Sequence, residues 1–242
     1  MRAAPIAGLA MLLALPVEAQ VPDILSAHYD GPTDRYPHGA LGDPFEWGTL
    51  VLERNQCPGC AGIERDTLTI NLPPELVFED TAPRLVDVDG DGLRDVITVQ
   101  SHRDYGARLA VFDSLGAVVA ATDRIGQPNR WLAPLGAVDL DGDGRVEIAY
   151  VDRPHLAKRL IVVEYREGTL TPEAVAEGHT NHRFGDPEIG GGLRLCDGAA
   201  EIITASGDWT RVLATSLRNG VLSSRDLGPY TGPDSFTAAL AC

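Results

Sequence analysis

The sequence predicts an all-β fold, a small β-propeller of about four four-stranded blades closed into a four- or five-bladed ring. Three observations predict it. Short β-branched runs bounded by Gly, Asn, Asp and Pro recur along the chain. Sustained helical periodicity is absent after residue 19. An acidic, glycine-punctuated loop returns after roughly 50 residues, and four antiparallel strands repeated on that period are the signature of propeller blades. A two-sheet sandwich shares the strand pattern, and only the period speaks against it.

In chain order, residues 1–19 read as a secretory signal peptide. Arg2 supplies the positive start, Ile6 to Leu15 the apolar segment and Val17-Glu-Ala19 the cleavage site. Residues 20–242 then form a single β-propeller domain, with repeats at 35–83, 84–129, 130–181 and 182–229 and a closing strand at 230–242. Within the repeats, strands are expected at 49–53, 95–99, 147–151 and 201–205. Second strands follow at 67–72, 108–112, 159–165 and 211–215, and outer runs at 117–121, 170–176 and 221–227. Between the second and outer strands lie turns such as Arg166-Glu-Gly168 and Arg218-Asn-Gly220, with the residue types hairpins require. The tail Phe236 to Cys242 reads as a strand that pairs with the first blade and closes the ring.

The charge of −15, from 35 acidic and 20 basic side chains, argues against nucleic acid or an anionic membrane surface as partner. No later run is long enough to span a bilayer, so the mature protein is expected to be secreted or periplasmic. Export makes the four cysteines disulfide candidates with three alternative pairings. Cys57 with Cys60, close together in a Pro-Gly turn, is the favoured pair, leaving Cys196 with Cys242. Cys57-Pro-Gly-Cys60 lies between strand runs rather than at a helix start, which argues against a redox motif, and no second pair supports zinc.

Two stretches carry metal chemistry: Asp87-Val-Asp-Gly-Asp-Gly-Leu-Arg-Asp95 and Asp139-Leu-Asp-Gly-Asp-Gly-Arg-Val-Glu147. Asp87, Asp89, Asp91 and Asp95, and likewise Asp139, Asp141, Asp143 and Glu147, place carboxylates at positions 1, 3, 5 and 9 of a curled loop. The carbonyls of Leu93 and Arg145 add a ligand each. Such oxygen sets suit a hard divalent cation, and Ca2+ at two structural sites is expected. The alternative is a solvated acidic turn, which would leave four like charges crowded together. An EF-hand fits poorly, because its twelfth position is here Thr98 or Tyr150. A worn third copy, Leu193 to Glu201, has lost positions 1 and 3 and is expected to hold no metal; a weaker one sits at 39–47.

Asp-x-Asp-Gly-Asp-Gly-x-x-Asp followed by an apolar strand resembles the FG-GAP or VCBS repeat of integrin-α-like β-propellers and exported bacterial proteins. The resemblance implies calcium held between the first and second strands of each blade. The Gly-Ala-Pro element of that family is missing after the strands, and Phe-Gly survives only as Phe184-Gly185.

The opposite face of such a ring collects Arg and aromatic residues, and Arg130, Trp131, His182, Arg183 and Trp209 form a candidate ligand rim. Arginine forks recognise carboxylates and aromatic faces stack on sugars or cations. The expected role is therefore a binding module for a glycan, peptide or other small anionic ligand. The competing account makes these aromatics blade-to-blade core and the arginines structural ion pairs. No catalytic residues are assigned: a Gly-x-Ser-x-Gly elbow is missing, and His155, His179 and His182 lack zinc-protease spacing. An exported polysaccharide-active hydrolase or lyase is the alternative function.

Overall fold

The computed structural model describes residues 20–196 and 198–242; the predicted signal peptide and Asp197 lie outside them. The chain is all-β, with 52% strand and 3% helix, arranged in several antiparallel sheets. The first strands are β1 (Asp23–Thr33), β2 (Glu46–Asn55), β3 (Arg65–Asn71) and β4 (Leu76–Phe78). Next come β5 (Arg84–Val86), β6 (Asp95–His102), β7 (Gly106–Phe112) and β8 (Val118–Ala121). A second series comprises β9 (Leu132–Val138), β10 (Glu147–Asp152), β11 (Arg159–Arg166) and β12 (Thr169–Glu177). The last comprises β13 (His179–Thr180), β14 (Gly192–Cys196), β15 (Ala199–Ser206), β16 (Arg211–Arg218) and β17 (Val221–Pro229), followed by helix α1 (Asp234–Leu240).

A four-stranded antiparallel meander occurs three times: β5 to β8, β9 to β12 and β14 to β17. They span residues 84–121, 132–177 and 192–229. Residues 23–78 follow a different plan. β1 and β3 flank β2, and β2 also meets β4, whose pairing with β6 joins this unit to the first meander in one eight-stranded sheet.

The middle strands of the meanders are buried on both faces, which explains their unbroken apolar runs. Along β10, Ile148 and Tyr150 enter a core shared with the first meander through Ile97, Val99 and Leu109. The alternate residues Ala149 and Val151 enter a second core with Leu160, Ile202 and Leu217. Successive side chains of a strand point to opposite faces, so one strand serves two cores. β6 and β7 behave alike, with Val96, Ala110 and Phe112 facing Leu50, Leu52 and Phe78 of the N-terminal unit.

Two elements differ from the sequence expectation. The strand β1 lies before the first expected repeat. Its buried residues, Ile24 and Tyr29, are five apart, and a bulge between Ile24 and Ser26 restores them to one face. The tail is a helix, not a closing strand. Pro233 precedes its first turn, Ala and Leu favour the helix, and Phe236, Ala239 and Leu240 recur at helical spacing and pack together against Ile203 and Ala205. The tail thus covers its own meander rather than pairing with the N-terminal unit. Contact between the two ends comes from elsewhere: the Gly185 amide donates to the Ala40 carbonyl at 2.9 Å, and the His38 and Phe184 rings meet edge to face.

Cys57 pairs with Cys60 and Cys196 with Cys242, the Cα atoms 5.3 and 5.9 Å apart. The second bond ties the end of α1 to β14 across 46 positions. Among the described residues no helix is long and apolar enough to cross a membrane. Cys242→Ser is expected to destabilise the protein by about 3 to 4 kcal/mol, because the loop closed is long; urea melts of the oxidised wild type and the variant measure it.

Candidate functional site

The two acidic loops join β5 to β6 and β9 to β10, and they fold alike bond for bond. Asp87 accepts the amides of Gly90 and Gly92 at 2.8 and 2.9 Å, as Asp139 accepts those of Gly142 and Gly144 at 2.7 and 3.0 Å. Asp89 and Asp141 each accept the amide two residues on at 3.1 Å. Asp91 and Asp143 accept the amides of Leu93 and Arg145. At position 9, Asp95 accepts Val88 N–H and Glu147 accepts Leu140 N–H, closing each loop. Gly92 and Gly144 have φ near 87° and 90°, a region open to glycine but costly with a Cβ.

Carboxylate oxygens of Asp87, Asp89 and Asp95 lie within 4.8 Å of one another, as do those of Asp139, Asp141 and Glu147. These clusters can hold a metal ion, and an all-oxygen donor set suits a hard cation. Asp91 and Asp143 stand outside those trios. Asp143 groups instead with Glu147 and Glu164, and the Arg145 guanidinium contacts both Asp143 and Glu164. Burial, with repulsion from the neighbouring loop acids, pushes Asp95 up to about 6. Burial, followed by repulsion from Glu173, Asp141 and Asp143, pushes Glu147 up to about 7. Each loop is thus a concentration of unfavourable charge that a cation would relieve.

The third copy is built otherwise. Leu193 and Leu195 belong to β14, and Cys196 pairs directly with Ala199. Glu201, the counterpart of Asp95 and Glu147, receives the guanidinium of Arg194 at 2.6 Å and that of Arg225 at 2.7 Å. Two arginines neutralise it from within the chain.

At the other ends of β9 and β10 lies a pocket of about 240 Å³, bordered by Arg130, Trp131, Arg153, His155, Phe184 and His38. Three turns build it. Gly106, at φ 70°, is pressed against the chain before β9, where an added Cβ would come within 2.4 Å of the Gln127 carbonyl and 2.7 Å of that of Arg130. The Ala107 amide also bonds to Arg130 O at 2.8 Å. Asn129 and Arg153, at φ 53° and 46°, turn the backbone at its two corners; such left-handed non-glycine residues are uncommon and concentrate at functional sites.

The expected rim is divided in two. Trp131 is only 2% exposed and His182 1%. Trp131 forms the pocket floor, its indole N–H donating to Glu79 O at 2.8 Å, and His182 lies beneath His155. Arg183 and Trp209 form a separate group, the guanidinium 4.3 Å from the indole centroid and the indole packed on Tyr230. Trp209 lines a second pocket of about 250 Å³ together with Asp186 and Glu188.

The pattern of the FG-GAP-like repeat matches residues 87–150, from the first acid of one loop to the strand after the other. This chain carries an FG-GAP-like repeat. It matches no curated protein and no solved structure. The match covers both acidic loops and the strands between them, while the pocket draws Arg153, His155, Phe184 and His38 from outside it.

Behind the pocket's His38 and Trp131 lie buried acids that the sequence did not single out. Glu79, fully buried, contacts His38 Nδ1 with one oxygen and the Ser101 hydroxyl with the other. Nearby, Glu46 is pushed up to about 9 by burial and by Glu79, and holds its proton at neutral pH. Burial lowers His155 and His179 to about 4, with nearby histidines adding to the shift at His155. In the unfolded chain both titrate near 6.5. Their contribution to stability is full above that value and is lost as pH falls from 6.5 toward 4, where only the unfolded state takes up protons. His179→Gln is expected to flatten this loss by about 1.4 kcal/mol per pH unit; urea melts at several pH values in that window, compared with wild type, measure it.

Proposed function

We propose that the chain is an exported, calcium-stabilised binding module of the β-propeller type, a single domain over residues 20–242. One observation carries the calcium assignment: two loops of an FG-GAP-like repeat, alike in their amide-to-carboxylate hydrogen bonds, each bring three carboxylates together. Asp87, Asp89 and Asp95 hold one ion and Asp139, Asp141 and Glu147 the other, with Asp91, Asp143 and the carbonyls of Leu93 and Arg145 completing the shells. The bound ion is structural. It fixes the turn from the first to the second strand of its meander and has no substrate to act on. Paired cysteines and the signal-like first 19 residues support export.

The ligand is a glycan, peptide or other small anion, taken up at the ends of the strands remote from calcium, where Arg130 and its pocket lie. The Arg183–Trp209 group provides further rim contacts. The alternative of a polysaccharide-active hydrolase or lyase draws on one feature, the buried Glu79 that orients His38 at the pocket edge. A glycan array probed for retention and for cleavage separates the two, and loss of cleavage in His38→Ala would favour the enzyme.

Chelation supplies the test of the calcium assignment. At calcium about 100-fold above Kd, each site adds about 2.7 kcal/mol to stability, so EDTA is expected to lower the melting temperature by several degrees and calcium to restore it. Asp139→Asn with Asp141→Asn is expected to remove about half of that calcium-dependent shift. A transition that EDTA leaves in place overturns the assignment.

A further inference from the structure

We propose that the pocket over Trp131 is built for a ring-bearing hydroxycarboxylate of the hexuronate class, its carboxylate on Arg130 and a hydroxyl on His155. This rests on the reading of the chain as a binding module and names the ligand chemistry of one site. The first observation is charge. The chain has 35 acidic and 20 basic side chains, yet none of the side chains bordering this pocket is acidic. Arg153, at one corner, is committed to Asp152 through paired bonds of 2.9 and 2.8 Å. Arg130 has no carboxylate partner among the described residues; its guanidinium meets only the carbonyl of Asn129, at 3.3 Å. A free guanidinium at a pocket without acids selects an anion, and its fork matches a carboxylate.

The second observation is the hydrogen-bond polarity of the histidine pair. The Asp186 carbonyl can only accept, so His182 carries its proton on Nε2, which lies 2.8 Å from that oxygen. In the neutral ring, Nδ1 of His182 is then an acceptor and takes the Nε2 proton of His155 at 2.9 Å. His155 is left with a lone pair on Nδ1. The pocket is therefore lined by both an imidazole acceptor and a cationic donor. Sulfate, which has no donor at neutral pH, would use the cation alone, whereas a hydroxylated acid uses both.

The third observation is the mouth. Phe184 and Leu156 border it and are 59% and 63% exposed, an apolar lip suited to the C–H face of a sugar ring. At about 240 Å³ the pocket accepts one ring rather than a chain, which fits a free uronate or the terminal uronate of an acidic polysaccharide.

Isothermal titration of the calcium-loaded protein with glucuronate, cellobiouronate, glucose and sulfate tests this. Glucuronate is expected to bind at least tenfold more tightly than glucose or sulfate. Arg130→Gln should weaken it at least tenfold, and Phe184→Ala several-fold, with the thermal transition of each variant unchanged. Cellobiouronate binding more tightly than glucuronate indicates a polysaccharide end, and equal affinities indicate the free sugar acid. Should Arg130→Gln unfold, Phe184→Ala and the glucose comparison still decide. Uronate affinity no greater than that of glucose, or unchanged in both variants, overturns the proposal; glycan retention on the array would then leave the binding-module reading standing.

Discussion

Everything in this molecule depends on strands that are apolar on both faces. A meander of four strands cannot bury one face without leaving the other wet. The chain resolves this by packing the meanders in series, so that alternate residues of β10 or β15 feed different cores. The N-terminal unit closes one side of the series and α1 the other, where Phe236 takes the place of a further sheet. Hydrophobic burial on this scale is non-directional, so register comes from elsewhere: from the acidic loops, the hairpins and the bulges that keep each strand in phase.

How far this was legible follows from where the information sits. Strands after the acidic loops were plain, because Asp-x-Asp-Gly-Asp-Gly marks the turn and Val96-Ile-Thr-Val99 or Ile148-Ala-Tyr-Val151 follows at once. β1 was hidden by its bulge, which breaks the two-residue alternation that a reader counts. The tail misled for a different reason. Its seven helical residues are short enough for Ala-Ala-Leu to pass as strand, although Phe236, Ala239 and Leu240 already stood at helical spacing. The disulfide partners came out by proximity for one pair and by remainder for the other.

The candidate site was readable in type but not in depth. Acid positions 1, 3 and 9 of each loop converge, while position 5 departs toward Arg145 in the second, through a contact with Glu164 that no local pattern announces. Arg130 and Trp131 were recognised as a pair, yet sequence cannot say that Trp131 is the floor of a pocket and Arg130 part of its border. Glu79 and His38 are separated by 41 positions and meet only because β2 and β4 share a sheet.

The arginines on Glu201 have a wider consequence. Two neighbouring repeats give their ninth-position acid no basic partner among the described residues, whereas the third supplies two arginines. That acid therefore has its counter-charge within the fold, and the same repeat bears the helix and a disulfide. The acids that a cation could balance are therefore concentrated in the middle of the chain, while the C-terminal meander is tied by side-chain ion pairs, a helix and a disulfide.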